Sequence, residues 1–221
     1  MAEIDARLPQ LELIRPWDAV ILAAGDFPSS ARALQALREA PHLVCCDGAW
    51  EGLRDAGLKA DRVIGDGDSL TAADKAELGE TFVHISEQES NDLTKAVRYA
   101  SAQGWTRLLL LGATGKREDH TLGNISLLVR YNRMGLRTAM LTDRGLFIIG
   151  QSDAEYTACK GQQISVFNID CCHLSSEGLV YPVRPFDHLW QGTLNEAQGE
   201  TFRLQADGCY LLYCVADDTA G

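Results

Sequence analysis

Two aspartates stand two residues apart in Gly65-Asp66-Gly67-Asp68-Ser69, directly after a short apolar run. The glycines let the backbone turn tightly, and carboxylates at that spacing can converge on one hard cation. Mg²⁺ takes oxygen ligands and leaves part of its shell to waters and substrate phosphates. A plain solvated turn uses the same residues, because Asp and Gly both favour turns. A second segment, Asn91-Asp92-Leu93-Thr94-Lys95, opens a helical pattern. Asn91 is placed to cap it, and Asp92 and Lys95, three apart, share a face of its first turn. That reads either as a capped helix with a surface ion pair, or as a carboxylate near a metal with an ammonium near phosphate. A third segment runs Gly112-Ala113-Thr114-Gly115-Lys116-Arg117-Glu118-Asp119 into another helical pattern. Backbone N–H groups at a helix start favour anions. It is not a Walker A loop, since Gly112 and Gly115 are only three apart and Arg117 follows the Lys. His120 reads as a helix-start packing or capping residue.

Charge decides what these loops could do together. Two like charges 4 Å apart repel by about 4 kcal/mol at an effective dielectric of 20. If Asp66, Asp68, Asp92 and Asp119 converge beside a polyphosphate, the site needs divalent cations and its activity depends on them.

The elements that must position these loops alternate. Short apolar runs at 19–24, 43–46, 62–64, 82–85, 107–111 and 138–141 are interleaved with helical patterns at 30–39, 50–56, 72–78, 92–102 and 121–134. This predicts βαβ units and a parallel sheet with covered faces. Ligands of such sheets sit beyond the carboxyl ends of the strands, and the three segments above follow runs there. Asp47-Gly48 also follows a run. Beyond about Gly150 the runs become short, β-branched or aromatic (163–169, 179–183, 201–204 and 210–215), predicting a small antiparallel sheet or sandwich. The expected organisation is an α/β parallel-sheet domain over 1–150 and a small all-β sandwich domain over 151–221. Trp50, Trp105 and the 108–111 run read as core, and Glu77, Glu80, Glu87 and Glu89 as a solvated acidic face.

With 20 Lys plus Arg against 31 Asp plus Glu, the formal charge is −11. That argues against a duplex nucleic-acid binder, which needs a positive footprint, but not against a phosphate ligand, because a bound metal inverts the local sign. Residues 1–10 show no apolar stretch behind a basic head, so no signal peptide is expected. No apolar run is long enough to cross a bilayer. Seven cysteines, an odd number with no C-x-x-C, predict free thiols in a reducing cytoplasm rather than a disulfide framework or a zinc knuckle. In Cys171-Cys172-His173, neighbouring side chains of a strand would point to opposite faces, against a metal site.

Taken in register, Cys46-Asp47-Gly48-Ala49, the Gly65 to Ser69 segment, Asn91 to Lys95 and Gly112 to His120 resemble the thiamine pyrophosphokinase family, as do Gly178-Leu179-Val180-Tyr181-Pro182 and Gly192-Thr193-Leu194-Asn195-Glu196. The resemblance covers roughly residues 19–215. It departs at Gly67, where some members carry an aromatic residue, and at the Thr193-Leu194 step before Asn195, where Ser is frequent. It implies Mg²⁺-dependent transfer of a diphosphate from ATP to the thiamine hydroxyl, giving thiamine diphosphate and AMP. It also implies a homodimer with sites at the subunit interface. Asp66, Asp68, Asp92 and Asp119 would hold magnesium, and Asp66, Asp68, Asp92 and Lys95 would be catalytic. The nucleotide would meet Asp47, Gly48, Ser69, Gly112, Thr114, Gly115, Arg117 and Asp119. Thiamine would meet Gln88, Asp92, Tyr181, Trp190 and Asn195. An aromatic face suits the cationic thiazolium; for Trp190, strand packing is an equal reading. Either Asp92 or Asp68 would accept the hydroxyl proton.

Two other classes fit some of the same residues. One is a nucleotide-sugar glycosyltransferase using Asp66 and Asp68, which would release a nucleoside diphosphate. The other is a nucleotide or thiamine sensor that binds without turnover. Lys95 and Asp119 beside the Asp pair favour turnover over sensing. Aspartyl phosphatases also use paired aspartates, but carry Thr or Val two residues after the second, where this chain has Leu70.

Overall fold

The computed structural model describes residues 8–216, so part of the 1–10 stretch and both outer ends of the expected domains lie outside the described residues. The described residues divide into two compact units, Pro16–Asp143 and a second made of 8–15 with 144–216.

In the first unit, β1 (Ala19–Leu22), β2 (Leu43–Cys46), β3 (Arg62–Gly65), β4 (Phe82–His84), β5 (Arg107–Leu111) and β6 (Arg137–Leu141) alternate with α1 (Ala31–Arg38), α2 (Trp50–Asp55), α3 (Ala72–Leu78), α4 (Asp92–Ala102) and α5 (Glu118–Arg133). Every strand pair is parallel, in the order β6-β5-β1-β2-β3-β4. β1, β2 and most of β5 are wholly buried, as apolar strands covered on both faces must be. Side chains cap three of the five helices. Ser30 caps α1. Thr71 and Asp74 form a reciprocal capping box on α3. Asn91 accepts from the Thr94 N–H, 3.0 Å away, at the start of α4. The chain lays β2, β3 and β4 to one side of β1 and then returns to place β5 on the other. That reversal is a topological switch point, which opens a crevice beyond the carboxyl ends of β1 and β5.

The second unit is antiparallel. β7 (Gly145–Gln151), β9 (Gln163–Asn168), β11 (Asn195–Glu196) and β13 (Cys209–Val215) form one sheet in the order β11-β9-β13-β7. β8 (Ala154–Thr157), β10 (Leu174–Glu177) and β12 (Thr201–Ala206) form another, with β12 central. β12 alternates exposed and buried residues, the period of a half-buried strand. The buried hydroxyls of Tyr156 on β8 and Tyr210 on β13 meet at 2.8 Å and join the two sheets. The 3₁₀ turn Pro9–Leu13 belongs to this unit, because the buried Gln10 amide donates to the Thr157 carbonyl and to Gln162.

Several expectations shift. The division falls at Asp143 rather than Gly150, because Gly145–Gln151 pairs along its length with β13. Residues 179–183 form no strand; Leu179 makes a single bridge to Ala197, and Pro182 has no N–H to continue a ladder. Trp50 is core, but Trp105 is half-buried and stacks on His42 at 4.1 Å. All seven cysteines are free, Cys171 buried and Cys172 exposed. Among the described residues no helix is long and apolar enough to cross a membrane.

Candidate active site

A cavity of about 420 Å³ opens at the switch point of the first unit. The ends of β1 (Ala23, Ala24, Gly25) and β5 (Ala113, Gly115) form one wall, and Asp66, Gln88, Asp92, Lys95 and Arg117 bring charge and amide groups to it.

Lys95 is the centre of this arrangement. Its side chain is only 2% exposed, yet its ammonium lies 2.9 Å from Asp92 Oδ1 and 4.0 Å from Asp66 Oδ2. Burial works against the charge, but the hydrogen bond and field of Asp92, with the fields of Asp66 and Glu87, outweigh it and hold the Lys95 pKa above its ordinary value. Lys95 is therefore a fixed cation between two carboxylates. Asp66 is positioned from both sides: its Oδ1 accepts from the Asp68 N–H at 3.1 Å and its Oδ2 from the Gln88 amide at 3.0 Å. Those two bonds hold its carboxyl below the usual carboxylate range.

Asp47 has a different place from the nucleotide contact anticipated for it. It is 2% exposed and is not part of the cavity wall. Its Oδ1 accepts from the Gly48 N–H at 2.7 Å and its Oδ2 from the Gly67 N–H at 2.8 Å. Burial pushes its pKa up, and Asp92 and Asp66 add to that against the two N–H donors. Asp47 thus pins the backbone of the segment that carries Asp66. Gly67 has φ +81°, a left-handed conformation that explains glycine where an aromatic residue was noted in some relatives.

The four-carboxylate metal grip anticipated from sequence is not formed as one ligand set. Asp68 is exposed and does not line the cavity. Asp119 is held on the surface by a two-pronged pair with Arg117, at 3.1 and 2.5 Å, and that partner lowers its pKa. Among the described residues no group of three or more His, Cys, Asp and Glu side chains is arranged to hold a metal. Asp66 and Asp92 do share the cavity, and two carboxylates are what Mg²⁺ takes when substrate phosphates complete its shell. The donor set therefore fits Mg²⁺ in that two-carboxylate form.

The remaining expected residues divide. Gly115 and Arg117 line the cavity. Gly112 and Thr114 lie behind it, where their carbonyls accept from the N–H groups of Gly25 and Asp26 at 2.7 and 2.8 Å. Gly48 and Ser69 are beside the Asp66 segment but off the cavity wall. In the second unit, Tyr181 and Trp190 are 62% and 72% exposed. Asn195 is buried and spends its amide on Tyr181, accepting from its N–H at 3.0 Å and donating to its carbonyl at 2.7 Å. Within this chain it positions the Tyr181 backbone. Of the acidic face, Glu77, Glu80 and Glu89 are exposed, while Glu87 is half-buried and accepts from Ser90 and Arg98. Sequence reasoning did not place Ala24, Cys46, Asn124 or His120 on the cavity wall. Ala24 stood outside every motif, Cys46 and His120 sat inside quoted segments without a role of their own, and Asn124, four residues past His120 on α5, carried only a helical signal.

Two family models match the chain consecutively. The thiamin pyrophosphokinase catalytic domain matches residues 33–140 and the thiamin pyrophosphokinase substrate-binding domain residues 145–213. The chain belongs to the thiamin pyrophosphokinase family. A thiamine pyrophosphokinase of Bacillus subtilis (strain 168) is 29% identical over 140 residues; that match spans 59% of this chain and 65% of the relative's length. The fold resembles the crystal structure of yeast thiamin pyrophosphokinase (TM-score 0.78, 17% identity, 93% of this chain and 89% of that one). It also resembles that of the Bacillus subtilis enzyme (TM-score 0.73, 19% identity, 90% and 98%). The Candida albicans enzyme is similar too (TM-score 0.74, 15% identity, 90% of each chain).

Proposed function

We propose that this chain transfers a diphosphate group from ATP to the hydroxyl of thiamine, giving thiamine diphosphate and AMP. The observation that carries the reading is the switch-point cavity, which gathers two carboxylates, a buried lysine and an arginine in a chain of this family. The hydroxyl oxygen attacks the β-phosphorus, the bond from that phosphorus to the α,β-bridging oxygen breaks, and AMP departs with the electron pair. The hydroxyl proton passes to a carboxylate; Asp92, on the cavity wall, is better placed for this than the exposed Asp68. Such reactions need positioning and charge neutralisation more than covalent help. Lys95 supplies a positive charge that cannot swing away, and Arg117, at the cavity mouth, can exchange Asp119 for phosphate oxygens. Asp66 and Asp92 would hold Mg²⁺, which when bound neutralises charge on the phosphate oxygens. Gln88 fixes Asp66 and also faces the cavity.

We further infer a homodimer, in line with the family resemblance. The exposed Tyr181 and Trp190 support an aromatic contact for thiamine outside this copy's own core. Seven free thiols support a reducing compartment, the cytoplasm. The test is Asp66→Asn in parallel with exhaustive chelation of the wild type. Both are expected to abolish turnover while circular dichroism stays native. Near-normal rates in either would remove the carboxylate pair from the chemistry.

A further inference from the structure

Helix α4 carries Asp92 and Lys95, whereas the loop after β5 carries Gly115 and Arg117. The reaction proposed above requires these two elements to keep a fixed spacing across the cavity. We infer that Asn124, on α5, is the positioning residue that sets it; the inference rests on that reading of the cavity.

Asn124 reaches both elements at once. Its Nδ2 donates to the Ala113 carbonyl of the loop at 2.8 Å. Its Oδ1 accepts from the Asn91 amide at 2.9 Å. Asn91 in turn accepts from the Thr94 N–H at 3.0 Å, inside the first turn of α4. One side-chain amide thus links the loop to the helix start, and its two ends are not interchangeable, because one donates and the other accepts. Asn124 also lines the cavity, so the bridge lies at the site itself. A deeper tie between the same helices, the buried Thr94 and Tyr131 hydroxyls at 3.0 Å, does not depend on it. Loss of the amide bridge therefore loosens the cavity end and leaves the helices packed, so a variant at Asn124 still folds.

The experiment uses Asn124→Ala, Asn91→Ser and the double variant in the full chain. Ser at 91 keeps a helix cap and removes only the amide that reaches Asn124. Amide hydrogen exchange of the ligand-free protein is read first. Segments 92–95 and 113–117 are expected to exchange about threefold to tenfold faster in each variant, the worth of a net hydrogen bond, with β5 unchanged. In turnover with ATP, Mg²⁺ and thiamine, kcat is expected to fall about 10- to 100-fold, the cost of a misplacement near 1 Å, with the thiamine KM within about threefold. The double variant should be no worse than Asn124→Ala alone, because that substitution already removes both bonds of the bridge and Asn91→Ser cuts only one of them. Unchanged exchange in both segments, or kcat losses that multiply in the double variant, overturns the inference. Faster exchange in a protein whose wild type makes no thiamine diphosphate leaves the bridge standing and sinks the diphosphate-transfer reading instead.

Discussion

Asp47→Ala separates a residue that shapes the site from one that touches the nucleotide. The substitution leaves the N–H groups of Gly48 and Gly67 without the carboxylate that accepts them at 2.7 and 2.8 Å. A hydrogen bond to a charged group contributes about 1.5–3 kcal/mol, so two of them set an upper bound near 3–6 kcal/mol. The bound is not reached. Burial raises the Asp47 pKa, which means that the ionised carboxylate itself costs the fold some stability at neutral pH, and the alanine is free of that cost. The expected loss is about 2–4 kcal/mol, read from urea midpoints at pH 7. Asp47→Asn falls short of rescue, because its NH₂ group faces one of two N–H donors. Turnover falls with stability, since the segment bearing Asp66 loses its anchor, while ATP affinity in the folded variant changes by less than about threefold. Unchanged stability together with a tenfold weaker ATP affinity would refute the reasoning and return Asp47 to the nucleotide.

Acid should destabilise the protein through Asp18. Burial opposes its charge, but the N–H groups of Arg107 and Thr106 and the Arg107 side chain outweigh it and lower its pKa below 3.8. A lowered carboxyl pKa contributes stability that is present above the ordinary value and lost as pH falls through the folded one. Urea midpoints should therefore drop below about pH 3.8, and Asp18→Asn should flatten that drop; an identical acid limb would exclude Asp18. Gly115→Ala and Gly104→Ala start from nearly equal φ, +81° and +83°, but an added Cβ meets the Asp26 carboxylate at 2.0 Å only at 115. Both should lose about 1–2 kcal/mol to backbone strain, and Gly115→Ala measurably more, with lower activity; equal losses would show that the loop gives way freely. Tyr181→Ala should raise the thiamine KM far more than the ATP KM, and an unchanged thiamine KM would remove Tyr181 from the site.

The first unit was legible because its strands are short, buried apolar runs and three of its five helices, α1, α3 and α4, begin behind a capping side chain. α4 starts where Asn91 indicates, and α3 starts at the expected residue 72, behind a Thr71 cap. α5 begins at Glu118, three residues ahead of the Thr121 expected, because two acidic residues suit its first turn although no side chain caps it. The second unit was less legible. β10 reads Leu-Ser-Ser-Glu and β8 Ala-Glu-Tyr-Thr, with little of the β-branched signal that marks a strand. Conversely, the apolar 179–183 stretch is diverted when Asn195 takes both backbone groups of Tyr181. In the site, charged residues declared themselves by spacing, so Asp66, Asp92 and Lys95 were readable. Their partners were not. Whether Asp119 faces a metal or Arg117, and whether Asp47 faces a ligand or two backbone N–H groups, depends on side-chain direction across loops far apart in sequence.

The central claim is that this cavity directs attack to the β-phosphorus of ATP. A ³¹P NMR time course of the purified protein with ATP, Mg²⁺ and thiamine tests it most directly. AMP and thiamine diphosphate growing at equal rates is the expected result. ADP with thiamine monophosphate, or nucleotide that binds and is never consumed, would contradict it.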